Sequence, residues 1–330
     1  MKQHTLGLLL ALFSASSYAV IDGTRVDWAT MDDMVNMNCS GTIIAGKYVL
    51  TAAHCDGGGA VSTENSTVQV SQDNMQNHPN YVRTVPYDVS FWTLPELAST
   101  HSIHFFADLN TNPVTQGETV YLFGFGGDTS LAYATMTIDM SDPYDTKNLR
   151  YKSLFDKKGH LYAGDSGGAV LNQYNEIVAV NNSTSTWDFD GENETNEHSA
   201  FSANLSESKG FILETINGWH YPTLANTSNG VATIKIQSLH VNPTVDSAYT
   251  SGDATITGGT CTTMNSVSAF QTCTYTIESQ GGEGQLILSD NEVININKPT
   301  VTPNSGGSDG GSLGFLSIIG LLGLGFIRKK

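Results

Sequence analysis

Short apolar runs, broken every few positions by Gly, Asn, Asp or Ser, fill the chain from Val20 to about Pro222. Thr42-Ile43-Ile44, Tyr48-Val49-Leu50, Thr119-Val120-Tyr121-Leu122-Phe123 and Glu176-Ile177-Val178-Ala179-Val180 are of this kind. Runs this short, so often punctuated, predict strands joined by tight turns, the pattern of a sandwich or barrel. At the end of the region Phe211, Ile212, Leu213, Ile216 and Trp219 recur at helical spacing and predict one closing helix.

Residues 223–230 are Thr, Asn, Ser and Gly in the main and predict a polar linker. Beyond it the pattern changes to strict alternation. Thr233-Ile234-Lys235-Ile236, Thr274-Tyr275-Thr276-Ile277, Gln285-Leu286-Ile287-Leu288 and Val293-Ile294-Asn295-Ile296 predict a small β-sandwich over 231–300, of immunoglobulin-like type. The fold class expected is therefore all-β.

Both ends of the chain carry a different pattern. Lys2 and His4 precede an apolar run from Leu6 to Phe13, and Ser17-Tyr18-Ala19 places small residues where a signal peptidase reads. Residues 1–19 are thus expected to be a secretory signal, with signal peptidase as a processing partner. Over 301–330, Ser305-Gly306-Gly307-Ser308-Asp309-Gly310-Gly311 leads into an apolar run from Leu313 to Ile327 and then Arg328-Lys329-Lys330. A spanning helix wants about 20 apolar residues, so this predicted C-terminal hydrophobic helix is short. Glycines, apolar helix and basic stop together resemble the GlyGly-CTERM sorting signal of Gram-negative bacteria. That resemblance implies transient inner-membrane association, cleavage by a rhomboid-type sorting protease and export by the type II secretion system. It puts the product outside the cell or on its outer surface, via the periplasm. A permanent inner-membrane anchor is the alternative.

Composition narrows the partners. Acidic residues outnumber basic ones 32 to 15, a formal charge of −17 over 330 residues. Phosphate binding needs clustered Lys and Arg, so nucleic acid is excluded as a partner. The four cysteines fall into two local pairs, Cys39 with Cys55 and Cys261 with Cys273. Export permits disulfides, and a metal site is the competing reading of each pair.

The chemistry sits in three segments: Thr51-Ala52-Ala53-His54-Cys55, Tyr87-Asp88-Val89-Ser90 and Gly164-Asp165-Ser166-Gly167-Gly168. Peptide hydrolysis at neutral pH needs an activated nucleophile, a base to move its proton, and donors for the developing oxyanion. In the order His, Asp, Ser, these segments resemble the trypsin/chymotrypsin-like serine endopeptidases. Two further segments resemble family features: His78-Pro79-Asn80-Tyr81, and Gly124-Phe125-Gly126 at a strand end. The resemblance covers 20–222.

It implies a double six-stranded β-barrel of the chymotrypsin type, with Ser166 as nucleophile, His54 as base and Asp88 as the carboxylate orienting His54. It further implies an oxyanion hole from the Gly164 and Ser166 backbone N–H groups and a disulfide between Cys39 and Cys55. Protein or peptide substrates follow, with no cofactor and no metal. In the family a liberated N-terminus pairs with the Asp before the nucleophile, here Asp165. Val20-Ile21-Asp22-Gly23 resembles that terminus and begins where the signal ends, so cleavage after Ala19 would itself activate the enzyme.

The primary specificity pocket departs from the family. His160 stands where trypsin-type enzymes have an Asp, Tyr162 replaces a Cys, and Ala179-Val180-Asn181 is the expected pocket wall, with Asn181 lining it. A His-based pocket fits acidic or polar side chains, whereas a carboxylate from the acidic run Asp188–Glu197 would restore a basic preference. That run also reads as a solvated loop or, more weakly, a calcium site. His101, His104, His198 and His220 have no motif and read as surface or packing residues. The second functional reading is a catalytically silent surface binding protein on a peptidase scaffold.

Overall fold

The computed structural model describes residues 19–82, 87–140, 148–153, 159–185 and 199–299. Most of the predicted signal, the whole acidic run 188–197, His198 and the sorting signal with its hydrophobic helix lie outside the described residues. Among the described residues no helix is long and apolar enough to cross a membrane.

The first sheet has seven strands, in the order Thr67–Val70, Gly59–Ser62, Met34–Asn36, Ser40–Ile44, Tyr48–Thr51, Ser90–Thr93 and Met75–Asn77. Its central strand, Ser40–Ile44, is buried along its whole length because sheet neighbours cover it on both edges. Apolar Val35, Ile43, Val49, Val61 and Trp92 pack on one side, Met34, Ile44, Leu50 and Phe91 on the other. The two edge strands are joined by the single turn Gln72–Asn74, so the sheet's ends meet through the chain rather than through a recorded ladder.

The second sheet closes. Thr119–Gly124 pairs with Leu131–Asp139, and the ladder continues through Asn148–Ser153, Ser199–Asn204, Ile177–Ser185 and Ala169–Leu171. Ala169–Leu171 then returns to Thr119–Gly124, with Val170 opposite Leu122. Six strands make the ring, and Thr24–Val26 adds a seventh outside it. The chain is mostly β, consistent with a chymotrypsin-like double barrel. Among the described residues each of these two sheets has seven strands against the six expected; in the second, the extra one is Thr24–Val26.

The helix runs Lys209–Ile216 and buries Phe211, Ile212 and Ile216. Asn217 takes a left-handed conformation, φ 39°, and ends it. Trp219, expected on that helix, instead opens a strand, Trp219–His220.

The linker expected at 223–230 also differs. Thr223 is buried, and Leu224–Ala225 is a strand running parallel to Glu292–Ile296. Two four-stranded sheets follow from Trp219 onward. Trp219, Ile234, Ile236, Tyr275 and Ile277 of one face Leu286, Leu288, Ile294 and Ile296 of the other in a common apolar core. The alternation read from the sequence is the inward and outward alternation of these strands.

Long-range polar contacts seat this second β region against the barrels. Buried Gln237 accepts the Phe106 N–H at 3.0 Å and donates to the Phe106 and Phe270 carbonyls at 2.8 and 2.9 Å. Buried His220 accepts the Ala45 N–H on Nδ1 at 3.0 Å and donates from Nε2 to the His104 carbonyl at 2.9 Å. Through Lys298 the chain is one compact unit.

Candidate active site

The three chemical segments come from different elements. His54 lies just beyond strand Tyr48–Thr51, and Asp88 just before Ser90–Thr93, its neighbour in the same sheet. Asp88 is buried. Its Oδ2 lies 2.6 Å from His54 Nδ1, and its Oδ1 accepts the His54 backbone N–H at 2.8 Å. This double attachment fixes both the ring and its tautomer, leaving Nε2 as the nitrogen able to take a proton.

The residue before Asp88, Tyr87, sits at φ 72°, unusual for a bulky side chain. His78 stacks on it, ring centres 4.4 Å apart, and turns its ring edgewise on Phe211. Burial holds the His78 pKa below its ordinary value, favouring the uncharged ring for this packing.

Ser166 belongs to the loop between the Ile21–His160 bridge and strand Ala169–Leu171. Gly164 in that loop has φ 102°, and a Cβ there would meet the Gly127 nitrogen at 2.5 Å, so only glycine fits. Among the described residues the backbone N–H groups of Gly164 and Ser166 have no acceptor. Two unspent donors flanking a serine hydroxyl can bind a developing oxyanion. The Ser166 Oγ itself donates to the Asn182 carbonyl oxygen at 3.1 Å, and no hydrogen bond joins it to His54.

Asp165 is fully buried, and its Oδ2 accepts the Tyr162 N–H at 2.7 Å. The Gly126 and Val20 backbone N–H groups also face the carboxylate, although Oδ1 gains no hydrogen bond of good geometry. Burial pushes the Asp165 pKa up to about 6, and these N–H groups only partly offset it. Val20 is itself buried and adopts φ 29°. A Cβ on Gly124 would lie 2.1 Å from Asp165 Oδ1, so that strand end must be glycine to admit the carboxylate.

The pocket residues fall differently. His160 donates its N–H to the Ile21 carbonyl at 3.0 Å, which ties this backbone to the N-terminal segment. Asn181 is fully buried and faces the barrel interior, its amide donating to the Phe123 carbonyl and accepting from Ser202. It therefore does not line an open pocket. A register shift between Asn181 and Ser183 moves the chain by one residue, and Asn182 presents its carbonyl to the Ser166 hydroxyl instead. Tyr162 is exposed beside this loop.

Both cysteine pairs are disulfides, Cys39–Cys55 and Cys261–Cys273. Sulfur and nitrogen atoms of Cys39, Cys55 and His54 lie within 4.8 Å of one another. They do not fit a metal: the sulfurs are joined to each other, and His54 Nδ1 is engaged by Asp88.

Two of the histidines read as surface or packing residues also hold buried polar contacts. His220 joins the two β regions, and burial pushes its pKa down to about 4. His104 is held by buried Asp33, its backbone N–H and Nδ1 at 2.7 and 3.0 Å from Oδ2. Burial opposes its protonation, but Asp33 and Asp32 outweigh it and hold the pKa above the ordinary value. Ser40, which no motif marked, contacts the nucleophile loop directly.

Residues 39–180 match the family model of the trypsin-like peptidase domain. Among solved structures, the chain is similar to the Vibrio cholerae VesB protease, at 16% identity over 84% of this chain and 97% of that one, TM-score 0.45. It is also similar to a mutant of human heparin binding protein (CAP37), at 14% identity over 60% of this chain and 97% of that one, TM-score 0.49. No curated protein matches the chain.

Proposed function

We propose that this chain is a serine endopeptidase that hydrolyses peptide bonds of extracellular proteins through a covalent acyl-enzyme. The observation that carries the reading is the doubly anchored His54–Asp88 pair, 2.6 Å apart, inside a segment matching the trypsin-like peptidase domain. Ser166 Oγ attacks the substrate carbonyl while His54 Nε2 takes its proton. His54 returns that proton to the leaving amine, and Asp88 stabilises the imidazolium in between. The Gly164 and Ser166 N–H groups receive the oxyanion. Water then hydrolyses the ester by the same route in reverse.

Activation follows from the N-terminus. Signal peptidase cleavage after Ala19 would give Val20 a free ammonium beside the buried Asp165 carboxylate. A β-branched residue at positive φ is strained, and φ at Val20 exists only while Ala19 is attached, so the cut also removes that constraint. The sorting signal and type II secretion would carry the product out of a Gram-negative cell. The second β region, read as an immunoglobulin-like sandwich, is joined to the preceding sheets through Gln237 and His220.

Labelling with a fluorophosphonate tests the reading. Wild-type protein beginning at Val20 is expected to be modified at Ser166, and Ser166→Ala to stay unmodified. One observation favours the silent binding protein: the Ser166 hydroxyl bonds to Asn182 rather than to His54. A folded wild-type protein inert to the probe would decide for it.

A further inference from the structure

We propose that Ser40 is a positioning residue for the oxyanion hole, acting through the Gly164 carbonyl; the inference rests on the peptidase reading above. Ser40 opens the buried central strand of the first sheet and is itself buried. Its hydroxyl donates to the Gly164 carbonyl at 2.9 Å and accepts the Phe125 N–H at 3.0 Å. Its own N–H donates to the Ser166 carbonyl at 2.7 Å, and its carbonyl accepts the Thr51 hydroxyl at 2.8 Å. Every hydrogen-bonding group of this one residue is therefore engaged, and two of its four partners are the residues whose N–H groups would bind the oxyanion.

The geometry explains why a hydroxyl is useful there. Gly164 at φ 102° has wide conformational freedom and no side chain to restrain its peptide planes. Anchoring the Gly164 and Ser166 carbonyls restrains the backbone on both sides of Asp165, and with it the directions of the two N–H groups that have no acceptor among the described residues. The Phe125 bond extends this anchorage to the Gly124–Gly127 turn, which packs against Gly164 and cradles Asp165. A hydrogen-bonded network without loose members resists the small displacements that weaken oxyanion binding.

Ser40→Ala removes the hydroxyl and keeps the backbone bond to Ser166. A peptide aldehyde or boronic acid, which forms a tetrahedral adduct on Ser166, reads the oxyanion hole; KM for the matching peptide amide reads ground-state binding. The expected result is a loss of about ten- to a hundredfold in both kcat and adduct affinity with KM nearly unchanged, and a melting temperature lowered by a few degrees, because the buried Phe125 N–H is left without its acceptor. Unchanged adduct affinity overturns the inference, as does an equal loss in KM and adduct affinity, which marks a merely structural role. If the alanine variant does not fold, Ser40→Cys, with a weaker donor in the same place, reads the same split. Fluorophosphonate labelling separates the two failures. A wild-type protein that never labels overturns the peptidase reading and this inference with it. A wild type that labels, alongside a Ser40→Ala that labels equally fast, overturns this inference alone.

Discussion

The Ser166 hydroxyl donates to the Asn182 carbonyl oxygen at 3.1 Å and makes no hydrogen bond to His54. In this arrangement the Ser166 hydroxyl is hydrogen-bonded but not paired with the His54 ring. Apo geometry of this kind does not disqualify a catalytic pair, because such bonds often form only with substrate present.

The Asn182 contact makes a prediction that separates stability from chemistry. Asn182 is only partly buried, so water can replace the lost hydroxyl in Ser166→Ala. The variant should melt within about 1 °C of wild type, since a replaced partner at a wet site costs little. Its kcat should fall by about 10⁶-fold. Calorimetry and a peptide hydrolysis assay on the same preparation check both.

Asp88 should behave differently from Ser166, because it holds His54 at two points. Asp88→Asn keeps the volume but offers an amide that can present its N–H to Nδ1 and so select the other tautomer. We expect kcat to fall by about 10⁴-fold at neutral pH with KM little altered. The loss should shrink at alkaline pH, where hydroxide can substitute for the missing base, and a pH profile of kcat reads it.

The sequence made the chemical segments plain because each is local: His54, Asp88 and Ser166 carry their neighbours with them. The strands were equally plain, since burial on one face imposes alternation. What stayed hidden depends on distant partners. Asn181 read as pocket wall because the motif count allows it, whereas a bulge beyond it hands the site-facing place to Asn182. Trp219 fitted a helical period, but the helix ends at Ile216, three residues before it, and the turn at Asn217 and Gly218 follows. Ser40, His220 and Gln237 look ordinary in sequence, and each has a partner 85 to 175 residues away that gives it its role.

Asp165 gives a pH test of the proposed activation. With Ala19 attached, the folded-state pKa is raised to about 6, above the ordinary carboxylate value. The folded form then favours protonated Asp165. Its contribution is fully present below about pH 4, declines as pH rises to about 6, and leaves a deficit of about 3 kcal/mol at neutral pH. A free Val20 ammonium reverses the preference by favouring the carboxylate. In a Ser166→Ala background, the stability gap between protein starting at Val20 and protein retaining Ala19 should therefore widen from pH 4 to pH 7. Urea unfolding at several pH values measures it, and a constant gap would remove the Val20–Asp165 pairing.

His220 supplies the opposite titration at the junction of the two β regions. Its Nδ1 must stay unprotonated to accept the Ala45 N–H, and burial pushes its pKa down to about 4. A depressed histidine contributes stability that is fully present above the unfolded value near 6.5 and is lost as pH falls toward 4. His104 works against this slope, since Asp33 and Asp32 hold its pKa up and its contribution fades as pH rises. His220→Gln removes one of the two slopes without introducing a charge. It should lower stability by about 1–3 kcal/mol at pH 7, because the Ala45 N–H and His104 carbonyl lose a shaped partner. Relative to wild type it should then lose less stability between pH 6.5 and pH 4. A variant whose acid slope matches wild type would show that another group carries the pH dependence of this junction.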